Sequence, residues 1–90
     1  MNLPALLVEF LGTFIFLYVI VATGNPWAIG LTLAVLAYLG GAISGGHFNP
    51  AVTVMMFYNK AVTSTTALMY IGAQVVAGLL ALAVYKKLKA

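Results

Sequence analysis

Apolar residues run through this chain in long blocks, with no alternation of apolar and polar positions. The first block extends from Pro4 to Thr23 and breaks at Gly24-Asn25-Pro26. Gly ends helices readily and Asn-Pro starts turns, so the block predicts a helix over about 4–23. Pro4 suits the first helical turn, because the N–H it lacks is not needed there. A second block runs from Trp27 to about Ile43, with Trp27 where an amphipathic ring prefers the membrane edge. Each block has the length of a bilayer span, about 20 residues.

The pattern then changes. Ser44-Gly45-Gly46-His47-Phe48 lacks helical character, since Gly-Gly after Ser favours a turning or extended backbone. Asn49-Pro50-Ala51 follows. Asn is a strong N-cap and Pro favours the first helical position, so a short helix is expected over 49–58. Asn59-Lys60 closes it. Nine or ten residues make about 14 Å of helix, roughly half of a ~30 Å hydrocarbon core. No charge separates this helix from the second block. The simplest placement is re-entrant, with loop 44–48 dipping into the membrane and half-helix 49–58 leading out. Irregular backbone at that depth needs protein or a water-filled cavity around it. The plain alternative is an interfacial turn with a surface helix. Thr63, Ser64, Thr65 and Thr66 offer caps for a last helix over about 66–85. Lys86, Lys87 and Lys89 are expected to stop it at the interface, where they snorkel. Without a repeat or linker, residues 1–90 read as one domain.

Composition fixes the class. Hydrophobic residues make up 64% of the chain, and its charges are Glu9, Lys60, Lys86, Lys87 and Lys89. Soluble domains carry about a quarter charged residues, and disorder needs low hydrophobicity; both are excluded. The net charge of +3 comes mostly from one tail, so nothing suggests nucleic-acid binding. An all-α integral membrane protein is expected, with three transmembrane helices and one re-entrant half-helix; its membrane is unspecified. The N-terminal block lacks a basic leader region and contains Glu9, so it reads as a retained span. Three spans put the termini on opposite sides, and the small lysine bias orients them weakly.

The chemistry is correspondingly sparse. The chain has no Cys, one His and one carboxylate, so no enzyme, cofactor or metal is expected. The half-helix is the functional clue. Its N-terminus carries a partial charge of about +0.5. Asn49 can cap it and offer an amide N–H, while Gly45, Gly46, His47 and Phe48 offer carbonyls. Donor and acceptors together suit a neutral hydroxylic molecule, and the dipole repels cations. The plain alternative for Asn49, Pro50 and Ala51 is a helix cap. Asn25-Pro26, without the Ala or the Gly-x-His prelude, reads as a turn only.

Glu9 lies in an apolar helix, where an ionisable group is functional by default. It is either a proton-coupling carboxylate or an acceptor for the loop N–H groups, which need partners. Gln74 reads as a second brace or as interhelical glue. His47 is expected to pack in the loop. Tyr38, Met55, Met56 and Tyr70 read as packing or lipid-facing positions, and Gly12, Gly30 and Gly78 as helix contacts. Gly40 and Gly41 also offer close helix approach.

The stretch Ser44-Gly45-Gly46-His47-Phe48-Asn49-Pro50-Ala51-Val52-Thr53 resembles the first Asn-Pro-Ala signature of the aquaporin, or major intrinsic protein, family. Glu9-Phe10-Leu11-Gly12-Thr13-Phe14 resembles that family's first helix, and Gly72-Ala73-Gln74 with Gly78 its third. The resemblance spans nearly the whole chain. It implies a channel for water or small neutral solutes. In the family, two inverted repeats, each of three helices and a half-helix, form one pore, and both half-helices present an Asn at the midplane. This chain resembles the first repeat, half of an aquaporin-like fold. The resemblance implies pore roles for Gly45, Gly46, His47, Phe48, Asn49, Pro50 and Ala51, and a bracing role for Glu9. The filter arginine of the second repeat matches Val52 here, and the helix-two filter position matches Ile29. With no Arg in the chain, a wide, apolar filter admitting glycerol-sized solutes is expected. An antiparallel second copy or a separate complementary half would complete the pore, unless the chain is a piece of a longer protein. Two other readings stand beside it. One is a proton-coupled transporter like the small multidrug resistance proteins, which carry one first-helix glutamate but four full spans. The other is a non-conducting assembly subunit.

Overall fold

The structure is a computed structural model describing residues 2–89. Four helices follow in order: α1 (Leu3–Thr23), α2 (Pro26–Ser44), α3 (Pro50–Tyr58) and α4 (Ser64–Lys89). There is no strand among the described residues. Three helices, α1, α2 and α4, are long and apolar enough to cross a membrane. At about 1.5 Å per residue, α3 reaches only about 14 Å.

The element boundaries follow from local chemistry. The Asn2 side chain caps α1 by accepting from Ala5 N–H at 3.1 Å. Gly24, left-handed at φ +56°, ends it and returns its N–H to the Ile20 carbonyl. Asn25 then caps α2, accepting from both Trp27 and Ala28 N–H. Asn49 repeats the device at α3, accepting from Ala51 N–H at 2.8 Å. Thr63 Oγ1 accepts from Thr66 N–H in the first turn of α4.

Most boundaries fall within one or two residues of expectation, but Asn25-Pro26, expected as a turn only, caps and starts α2 because the Asn25 side chain takes two of the free N–H groups there. Ser44 is the last residue of α2, and Asn49 stands before α3 as its cap. The lysine cluster does not stop α4, which runs through Lys89. Lysine is a good helix former and cations favour a helix C-terminus, so nothing there breaks the helix.

Helix α1 packs against α2 and α4, and α3 packs against α4. Small residues make this possible. Ala67, Ala77 and Ala81 of α4 are buried. A Cβ at Gly78 would come within 2.7 Å of Leu17, and one at Gly40 within 2.8 Å of Val8. Gly12 abuts the Phe48 ring, leaving no room for a methyl. Gly30 is different: it is exposed and faces open space, so it makes no helix contact within the chain. It lies on the outward face of α2, beside exposed Leu31. Gly41 likewise has nothing within reach.

Burial is inverted relative to a water-soluble fold. Leu31, Val35, Tyr38, Leu68, Val76 and Leu79 are exposed, while Glu9, Thr13, Ser44, His47, Thr53 and Gln74 are buried. An apolar surface of that kind is suited to lipid or to a further protein surface. The loop between α2 and α3 is held by Glu9, about two turns into α1, and by the region of Gln74, near the middle of α4. It therefore lies between the ends of the spans, not beyond them.

Candidate functional site

The loop is built around one carboxylate. Glu9 Oε2 accepts from Ser44 Oγ at 2.7 Å and from His47 N–H at 3.0 Å. Glu9 Oε1 accepts from Phe48 N–H at 2.8 Å and from Gln74 Nε2 at 2.9 Å. Four donors on two oxygens use the full acceptor capacity of a carboxylate. Gln74 Nε2 also donates to Thr53 Oγ1 at 2.9 Å, tying α3 to α4. Thr53 has no other acceptor in reach than His47 Nδ1, at 2.9 Å. Its proton goes there, which assigns the imidazole proton to Nε2. The His47 ring meets Tyr70 edge-on at 5.2 Å.

These bonds decide where the loop carbonyls point. Gly46 N–H donates to Ser44 Oγ, and His47 and Phe48 N–H donate to Glu9. In a planar trans peptide the preceding carbonyl lies opposite the N–H. The carbonyls of Gly45, Gly46 and His47 therefore turn away from the buried brace. Among the described residues none donates to them, nor to the Phe48 carbonyl. Positive φ at Gly45 (+93°), Gly46 (+65°) and Phe48 (+53°) bends the strip. Phe48 adopts a region that costs a non-glycine residue about 1–3 kcal/mol. Its ring, 2% exposed and wedged against Gly12 and Gly40, holds it there.

Beyond the strip, Asn49 is exposed. Its Oδ1 is engaged in the cap, so its amide N–H groups are free to face outward. Pro50, Ile29 and Val52 are half-buried, and Ala51 is exposed. A cavity of about 520 Å³ opens at the α3 N-terminus, lined by Thr13, Leu17, Asn49, Pro50, Gln74 and Gly78 among others. Two of its lining residues carry the buried polar atoms without a partner, Thr13 Oγ1 and Gln74 Oε1.

The arrangement has a row of bare acceptors with a donor beside it. The family model for major intrinsic proteins matches residues 1–90. The chain belongs to the major intrinsic protein family. It is 44% identical over 89 residues to the glycerol uptake facilitator protein-like 6 of Lactiplantibacillus plantarum, covering 89% of this chain and 41% of that protein. It is 37% identical over 90 residues to the probable aquaporin PIP2-7 of Oryza sativa subsp. japonica, covering 78% of this chain and 31% of the relative. It is also 41% identical over 87 residues to the aquaporin PIP2-7 of Arabidopsis thaliana, at 78% and 31% coverage. This major intrinsic protein chain thus spans about a third to two fifths of those relatives. No solved structure matches it significantly. With its three membrane-length helices, it is an integral membrane protein.

Sequence reasoning left out three members of the site. Ser44 and Thr53 sat within the quoted signature without a role. Tyr70, expected to pack or face lipid, does pack, against His47, and its hydroxyl also donates to the Ser44 carbonyl at 2.7 Å. The missed signal is helical spacing: Tyr70 and Gln74 are four apart and share a face. Thr53→Val tests the role of the hydroxyl at near-constant shape. It strands Gln74 Nε2 and His47 Nδ1 in a buried site, so about 1–3 kcal/mol of stability should be lost. Thermal unfolding in detergent reads this directly, and an unchanged midpoint would remove Thr53 from the brace.

Proposed function

We propose that the chain is one half of a passive channel for water and small neutral solutes such as glycerol, completed by a second, antiparallel copy. The observation that carries this reading is the strip of four bare carbonyls from Gly45 to Phe48, ending at the exposed Asn49 amide. A neutral hydroxylic solute needs both partner types, and exchanging its hydration for them costs little. The pairing has separate support. A nine-residue α3 covers only half the membrane, and the cavity at its tip is lined by the exposed Asn49, whose free amide N–H groups lipid tails cannot satisfy. The names of the relatives, glycerol uptake facilitator and aquaporin, point to the same solutes. Ile29, Gly46 and Val52 would line each constriction with no arginine, which favours glycerol-sized solutes over water alone. Glu9 is fully buried with both oxygens engaged, which supports bracing over proton coupling.

Stopped-flow swelling of proteoliposomes with water and with glycerol tests the channel. Permeability to both is expected; a pure protein that passes neither would favour the assembly-subunit reading. Reporters at each terminus test the pairing: both orientations are expected, and one orientation would point to a separate complementary half. Asn49→Asp places a carboxylate where the helix dipoles repel cations. It should raise proton or cation leak by about tenfold or more, measured with a pH-sensitive dye. Ion exclusion left intact would sink the pore role of Asn49.

A further inference from the structure

Five consecutive carbonyls, Ser44 to Phe48, leave the end of α2, yet only the first is taken. Tyr70 Oη donates to it at 2.7 Å. We infer that Tyr70 is a positioning residue that pins the peptide plane at the head of the acceptor row, and so fixes how the Gly45 carbonyl is presented to a passing solute. The solute half of this inference rests on the channel reading; the backbone half does not.

The peptide between Ser44 and Gly45 is clamped at both ends. Its carbonyl is held by Tyr70, and its N–H donates to the Gly41 carbonyl at 2.9 Å. Gly45 sits at φ +93° and has no Cβ to resist rotation of the plane. The later peptides have a different anchor, because Gly46, His47 and Phe48 N–H rest on Ser44 Oγ and Glu9. Tyr70 therefore controls the first plane of the strip, while Glu9 controls the planes that present the His47 and Phe48 N–H groups.

The hydroxyl also has an electrostatic effect. Ser44 is the last residue of α2, where unpaired carbonyls carry the negative end of the helix dipole. A phenol donating to that oxygen lowers its pull on cations next to the strip. The phenol is itself well held. Tyr70 is 5% exposed, and its ring is fixed edge-on against His47.

Tyr70→Phe removes one oxygen and keeps the ring. In the intact chain in proteoliposomes, the buried Ser44 carbonyl is left without a donor and can regain one only by turning its peptide plane. The Gly45 carbonyl turns with it, and glycerol, which meets several acceptors at once, loses more than water does, so the ratio of glycerol to water permeability should fall about threefold, the size of one modest net hydrogen bond. General loosening would change both permeabilities together and leave the ratio alone. Solid-state NMR in bilayers supplies the second readout. The Ser44 carbonyl carbon should shift, while amide protection at His47 and Phe48 stays as in the wild type. A shifted carbonyl with an unchanged ratio would overturn the inference while the channel reading stands. If neither protein passes solute, the channel reading falls and takes the solute half with it. Should the variant fail to insert, the wild type still decides: absence of dipolar contact between the Tyr70 hydroxyl proton and the Ser44 carbonyl carbon would overturn the clamp.

Discussion

Glu9→Gln should abolish solute permeability in proteoliposomes, although it changes only one side-chain atom. Four donors converge on Glu9: Ser44 Oγ, the His47 and Phe48 N–H groups, and Gln74 Nε2. An amide offers one oxygen and one NH2. Whichever way it turns, its NH2 faces two groups that had an acceptor, of which the Ser44 hydroxyl alone can rotate to accept instead. One of them is a buried loop N–H, since His47 and Phe48 bind different oxygens. Hydrogen bonds to a charged group are worth about 1.5–3 kcal/mol each, so stranding the loop N–H alone costs about that much. That is a large fraction of the stability of a small fold. Hydrogen exchange at the stranded loop N–H should accelerate by about tenfold to a hundredfold, and the carbonyl strip should lose its direction. Water permeability within twofold of wild type would show that the loop does not depend on this brace.

Gly12→Leu should have the second-largest effect, through sterics alone. A Cβ at Gly12 would overlap three atoms of the Phe48 ring. The tip of the ring also lies against Gly40, which limits where it can turn. Either α1 separates from the loop or Phe48 leaves its pocket, releasing the left-handed backbone that the pocket holds. Overpacking a tight core costs about 1–3 kcal/mol, and here the intruder is a whole isobutyl group. A drop of more than tenfold in permeability is expected, with a lower melting temperature in detergent. The Phe48→Ala change tests the cause. In the Gly12→Leu background it should recover part of the stability, giving a coupling of about 1 kcal/mol or more in a double-mutant cycle. Strictly additive losses would place the damage elsewhere.

Much of the fold was legible because a membrane writes it in plain terms. Blocks of apolar residues ended by Gly24-Asn25-Pro26 and Asn59-Lys60 mark the spans, and Asn49-Pro50 marks the start of the half-helix. The family signature located the loop and Asn49. Legibility failed where a residue's role depends on which face it presents. Gly30 and Gly12 look alike in the sequence, but one faces outward and the other faces Phe48. Tyr70 looks like any aromatic in an apolar helix until Ser44 is brought beneath its hydroxyl. The lysines were misread because charge marks the edge of the bilayer, whereas only a break in backbone hydrogen bonding ends a helix. The brace was half legible: a lone carboxylate in an apolar span needs donors, but only the folded chain shows that two come from loop backbone.

The long reach of Glu9 has a consequence for how the chain is made. Its partners lie 35, 38, 39 and 65 residues further along. During synthesis α1 reaches the membrane while these partners are still inside the ribosome or not yet made. The insertion machinery must therefore pass a first helix whose one carboxyl is still alone. A charged group deep in a helix costs about 2.5–3.5 kcal/mol on insertion scales, and the surrounding Leu, Val, Phe and Ile residues must outweigh it. The last donor, Gln74, arrives only with α4. Final locking of the loop is thus a late event in biogenesis, and a nascent chain halted before residue 74 would hold an inserted but unfinished fold.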